Sequence, residues 1–206
     1  GLTVQAGDGD NSMSMIIAVG KNAAIKSGGT TTVELSNSMF GGNCSVNTTG
    51  DGAAGIMVED VEFAGNLSIN TGGGVATITA NVVEVDGKFS IGTGGSDDAI
   101  TLDDFNAGSF AVKTNAGNDV LNIATTGDVG GDISDVEGAL TVSMGDGDDT
   151  VVVGIDGQEY NSIYVGGVPK ADGGKGNDSI TAGDENYFEE DGIIRNFETV
   201  DVPFEP

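Results

Sequence analysis

Seven residues of this sequence have the type and spacing to bind a cation: Asp98, Asp119, Asp146, Asp148, Asp149, Asn177 and Asp178. They sit in glycine-rich corners just ahead of short apolar runs, as in "MGDGDDTVVV" at 144–153. Carboxylate and amide oxygens are hard ligands. Calcium accepts about six to eight of them in irregular geometry, whereas magnesium demands a near-octahedral set. Beside Asp98, Asp119, Asp149 and Asp178 runs a second series, Asp97, Asn118, Asp148 and Asn177. If these corners stack, like charges repel unless a cation lies between them. The competing reading is that Asp and Asn merely cap turns by bonding local backbone. That reading is preferred for "GDGDN" (7–11) and "TGDGAAG" (49–55).

Other chemistry has few carriers. The chain holds no histidine, no tryptophan, three tyrosines and a single arginine, Arg195. Asp103 and Asp104 are adjacent carboxylates, but neighbours on a strand point to opposite faces. General acid–base catalysis is therefore not expected. Cys44 is the only cysteine, so no internal disulfide is available. Its apolar setting predicts a buried core position.

Composition narrows the partners. Thirty-three acids against seven bases give a net charge of −26 over 206 residues. Nucleic acid and anionic membrane surfaces are excluded as partners by that charge, and cation-rich surroundings are favoured. No apolar span is long enough to insert in a membrane, and no signal peptide opens the chain, so a mature or excised piece is expected. Glycine is abundant, at 36 residues, but lacks the every-third-residue rule of collagen.

The corners belong to a repeat. "GNCSVNTTGDGAAGIMV" from Gly42, "GNLSINTGGGVATI" from Gly65 and "GKFSIGTGGSDDAITL" from Gly87 share one phase with "GSFAVKTNAGNDVLNI" from Gly108 and "GALTVSMGDGDDTVVV" from Gly138. Each reads glycine, a polar residue, an alternating strand, a Gly/Asp turn and a second alternating strand. One strand position recurs at Val4, Ile25, Val46, Ile69, Ile91, Val112, Val142 and Val165, with a last step to Val202. This pattern predicts an all-β chain, a parallel β-helix (β-solenoid) of about eight coils of about 21–23 residues. Right-handed crossovers are expected. One domain should cover 1–206, with loop insertions near 125–135 and, in the last coil, near 182–195. Leu67/Ile69, Phe89/Ile91 and Phe110/Val112 should point inward, with Ser45, Ser68, Ser90 and Thr141 outward. The corner position ahead of the second strand should run Asn11, Thr31, Ala54, Gly74, Asp98, Asp119, Asp149, Asp178.

"GGKGNDSIT" (173–181) resembles the glycine-rich nonapeptide of the RTX, or haemolysin-type, calcium-binding repeat. "MGDGDDTVV" and "NAGNDVLN" resemble it less completely, and "IIRNFETVDV" is similar to the segment that follows such arrays. The resemblance implies Ca2+ held between successive turns by Asp119, Asp149 and Asp178, with Asp98 at the edge. It also implies a large secreted or surface protein of bacteria. The chain departs from the family in offering one such turn per coil rather than two.

The expected function is therefore a non-enzymatic, extracellular or cell-surface structural or adhesive module with calcium-stabilised turns. Alternatives are a calcium-binding domain of a larger secreted toxin or enzyme, and an ice-binding solenoid using the column Ser27, Thr48, Thr71, Thr93 and Thr114. The expected partners are further solenoid repeats, a cell-surface or matrix ligand, or a second copy docked head to tail into a filament.

Overall fold

The computed structural model describes residues 1–125, 133–155, 157–158 and 161–202. The described residues form strands, turns and bends with no helix. Every strand pairing is parallel and joins one coil to the next. The result is a three-faced β-solenoid of about nine turns.

On the first face, Val4, Ile25, Val46, Ile69, Ile91, Val112, Val142, Ala171 and Ile194 stack in register. The second face stacks Met13, Val33, Ile56, Ile78, Ile100, Leu121, Val151, Ile180 and Val200. The third carries Val19, Phe40, Phe63, Val85, Ala107, Val136, Val165 and Phe188.

These strands form because apolar and polar residues alternate, and parallel stacking puts each apolar set on top of the next. Leu67, Ile69, Phe89, Ile91, Phe110 and Val112 are all buried. Ser45, Ser68, Ser90 and Thr141 lie half-buried on the outer side. Aromatic rings fill the widest parts of the core. Phe40 and Phe63 stack at 5.0 Å, and Phe110 lies 5.2 Å from both Phe89 and Phe105. Between the second and third faces of five successive coils the chain bends at one left-handed residue each: Asn37, Asp60, Val82, Asp104 and Ala124.

The register corrects the expected coil count and two positions. Val165 lies on the third face, paired with Val136, and the first-face column continues instead through Ala171 to Ile194. Val202 lies beyond the last strand, Thr199–Asp201. The step from Ala171 to Ile194 is an ordinary one, so no insertion stands at 182–195. The second enlarged connection runs instead from Val153 to Ile163. All three faces share the same alternation, so "NSIYV" reads like a first-face strand once an insertion has shifted the phase. Residues 126–132 of the expected 125–135 loop lie outside the described residues.

Candidate functional site

The corner from the first to the second face brings the predicted acids together. Its leading position runs Asn11, Thr31, Ala54 and Ala76 through the N-terminal coils. Ala76 holds the place expected for Gly74. Asp98, Asp119, Asp149, Asp178 and Glu198 follow, each directly ahead of the paired residues Ala99, Val120, Thr150, Ser179 and Thr199. Glu198 was not singled out from the sequence. Its signal was the same acid-then-strand order, in "ETV" rather than after a glycine-rich turn.

Each inner acid accepts the backbone N–H of the residue one coil earlier. Ala76 donates to Asp98 Oδ1 at 2.6 Å, Asp98 to Asp119 at 2.8 Å, Asp119 to Asp149 at 2.7 Å, and Asp149 to Asp178 at 2.8 Å. Glu198 ends the run, accepting the Asp178 N–H on Oε2 at 2.7 Å. Capping is therefore real, but it reaches the neighbouring coil rather than the residue's own turn. The other carboxylate oxygen has no such use. Oδ2 of Asp98, Asp119, Asp149 and Asp178 is buried without a hydrogen-bond partner, in side chains only 1–2% exposed. A buried ionised oxygen left unpaired is costly.

That cost appears in the ionisation. Burial pushes all four carboxyls above the ordinary range, and neighbouring acids push the same way. The ladder N–H groups oppose the shift, and so do the hydroxyls of Thr93 at Asp98 and Thr114 at Asp119. At Asp149 the place of Thr114 is taken by Met144, and Asp149 rises to about 6.

The outer series forms a second, exposed ladder of opposite sense. Asn118 N–H donates to Asp97 Oδ1 at 2.7 Å, Asp148 to Asn118 at 2.8 Å, and Asn177 to Asp148 at 2.9 Å. Asp148 thus accepts the Asn177 N–H and gives its own N–H to Asn118, and both Asp148 and Asn177 stand exposed, outside the buried column. Asp146 turns to solvent and pairs with Lys175 at 2.8 Å. Among the described residues, no three acidic, histidine or cysteine side chains cluster closely enough to hold a metal by themselves. Any ion at the corner must draw on backbone carbonyls as well.

The first coil shows where such carbonyls converge. "LTVQAGDGDN" (2–11) aligns position by position with "LTVSMGDGDD" (140–149), so Asn11 corresponds to Asp149. Asn11 Nδ2 donates to Gly7 O at 2.8 Å, Gly9 O at 3.1 Å and, from the next coil, Gly28 O at 2.8 Å. Thr31, one coil on, likewise places a donor there, to Ser27 Oγ at 2.8 Å. In the carboxylate coils an acceptor occupies the position of that donor, and the electrostatic sense of the corner is inverted.

The remaining candidates sit elsewhere. Ser27, Thr48, Thr93 and Thr114 are buried and Thr71 is half-buried. The hydroxyl column faces the interior and presents no flat outer surface to ice. It turns inward because it continues the inward phase of the first strand into the corner. Asp103 is buried, and Asp104 takes the left-handed bend at φ 46°, so the straight-strand alternation expected of the pair ends there. Cys44 is 2% exposed, and burial pushes its thiol up to about 12. Thiol reagents should therefore label the native protein far more slowly than the denatured one; equal rates would place Cys44 at an opening coil. An asparagine ladder not anticipated from the sequence braces the corner ahead of the first face. There Asn22, Asn43 and Asn66 accept N–H groups of Asn43, Asn66 and Lys88 at 3.1, 2.9 and 2.8 Å. The polar residue that opens each repeat was its only sign.

Comparison with family models, curated proteins and solved structures finds no match to this chain.

Proposed function

We propose that this chain is a structural module of an extracellular or cell-surface protein, an acidic β-solenoid whose C-terminal coils are stabilised by calcium at the buried corner. The contrast between Asn11 and Asp149 carries the reading. In matched turns, a donor meets the Gly7, Gly9 and Gly28 carbonyls in the first coil, whereas an unpaired carboxylate oxygen is buried at Asp149. Asp98, Asp119, Asp149 and Asp178 would supply charge, and the turn carbonyls neutral oxygens, for a hard cation tolerant of irregular geometry. A cation there would offset stacked negative charge, and folding would be linked to its concentration.

Calorimetry on chelated protein tests this. At a calcium concentration about 100-fold above Kd, one site adds about 2.7 kcal/mol, which for a chain of this size raises Tm by about 5–10 °C. Asp149→Asn keeps the Oδ1 acceptor and installs the donor seen at Asn11. It should melt no lower than wild type in chelator and gain less from calcium. Asp8→Asn, in an exposed turn position, should retain the full calcium increment. A wild-type Tm unmoved by millimolar calcium would overturn the reading.

A further inference from the structure

We infer that copies of this chain associate side by side, the first face of one rod docking on the third face of the next through opposite charge. The seven bases are not spread around the rod. Lys26, Lys88, Lys113, Lys170, Lys175 and Arg195 lie in first-face strands, and Lys21 stands two residues ahead of one of them. All seven are exposed. In one outward column of that face Lys26, Lys113 and Arg195 share register with a single acid, Asp172. The column beside it carries Lys170 and is otherwise uncharged. Among the described residues the one ion pair is Lys175 with Asp146, so the other bases of this face have no described carboxylate partner within their own chain. The third face is the reverse. Glu62, Glu84, Asp86, Asp135, Glu137 and Glu189 stand on it or at its edge, with no base among them.

The middle of the third face is a groove. Asn106 and Gly108 form its floor, Glu84 and Asp86 one wall, and Asp135 and Glu137 the other. The walls stand two coils apart, about 10 Å, which leaves room for one long side chain between them. Asp135 Oδ1 is buried without a hydrogen-bond partner, and a lysine ammonium would bring it three donors and a charge. With two rods parallel and offset by one coil, the charges match along the rod. Lys88 of the docking copy meets Glu84 and Asp86, and its Lys113 enters the groove over Asn106. Its Arg195 meets Glu189 beside Tyr187, a ring 59% exposed and open to a cation on its face. Asp172, the acid of the docking column, then faces Tyr164 rather than a carboxylate. The net charge of −26 does not forbid this contact. Faces of a sheet stack lie about 10 Å apart, more than the Debye length of about 8 Å at physiological salt, so the facing columns decide. Nine coils and a five-residue strand give a face of roughly 700 Å², close to the roughly 800 Å² per partner of a stable interface. The contact joins unlike faces, so each added copy leaves one of each kind free and assembly continues past two.

Sedimentation velocity of the full chain, in chelator at physiological salt and over a concentration series, tests this. Wild type should form species larger than dimers as concentration rises, and 1 M salt, which cuts the Debye length to about 3 Å, should disperse them. Lys88→Glu/Lys113→Glu should sediment as a monomer, and so should Glu84→Lys/Glu137→Lys. An equimolar mixture of those two variants should assemble again, because each then offers the charge the other lacks on both faces. All four side chains are exposed, so both variants should melt close to wild type. Lys21→Glu/Lys26→Glu carries the same change in net charge away from the matched positions and should assemble like wild type. The corner carboxylates take no part in the contact, so Asp149→Asn should also assemble, and a failure of calcium to stabilise the fold would leave this inference standing. Wild type that stays monomeric up to millimolar concentration, or stops at a dimer, would overturn it. So would a mixture of the two reversed variants that remains monomeric, or loss of assembly in Lys21→Glu/Lys26→Glu equal to that in Lys88→Glu/Lys113→Glu.

Discussion

Phe110→Ala should lower stability by about 3–5 kcal/mol, the cost of emptying a close-packed aromatic site. That amounts to about 6–20 °C in Tm for a chain of this length. Phe110 is fully buried and meets Phe89 and Phe105 at 5.2 Å each, while those two rings sit edge to face at 6.1 Å. Three rings from adjacent coils thus fill one section of the core. Solenoid stability is a sum of coil and nearest-neighbour terms, so the damage should be local. Hydrogen exchange should lose protection first around Phe89–Leu140 and keep it around Val33 and Ile56. Tyr187→Ala is the matched control: Tyr187 also stacks, on Tyr164 at 5.4 Å, but is 59% exposed. It should cost about 1 kcal/mol or less. Uniform loss of protection in Phe110→Ala would show that the rod unfolds as a unit.

Much of this architecture was legible because one physical rule generates it. A parallel stack repeats its core residue at each coil, so Val4 through Val142 could be aligned by phase alone. The alignment failed at Val165, where an enlarged connection from Val153 to Ile163 shifts the phase and the third face presents the same alternation as the first. Face identity is a property of register, and period-two patterning does not encode it. The acids of the corner were legible for the same reason as the core: they recur at one phase. Their division of labour was not. Asp148 and Asp149 are neighbours in the chain, yet one lies in an exposed ladder and the other is 1% exposed. Asp146, grouped with them by motif, spends its charge on Lys175. Whether a turn residue faces in or out depends on the φ of the glycines beside it, and the sequence reports only that glycine is there.

Gly147→Ala should be among the most damaging substitutions in the corner, at about 2–6 kcal/mol from backbone strain plus overpacking. Gly147 has φ +146°, and a Cβ there would lie 1.8 Å from the Gly117 carbonyl oxygen of the coil beneath. That oxygen is backbone and cannot swing aside, so relief requires the two turns to separate. Gly176 repeats the arrangement one coil on, at φ +145° and 1.8 Å from Gly147 O. Gly9, the matching position of the first coil, is the internal comparison. Its φ is +116°, but no heavy atom lies within 4 Å of its would-be Cβ. Gly9→Ala should therefore carry only the strain of the left-handed backbone, about 1–3 kcal/mol. Urea unfolding of both variants isolates the close approach as their difference. The consequence for the corner follows from the ladder, which spans the same gap: Asp119 N–H reaches Asp149 Oδ1 at 2.7 Å only while the turns stay stacked. Gly147→Ala should then lose the calcium increment in Tm that Gly9→Ala retains. Equal costs for the two variants would mean that the turns float apart freely, and that turn stacking does not set the geometry of the buried carboxylates.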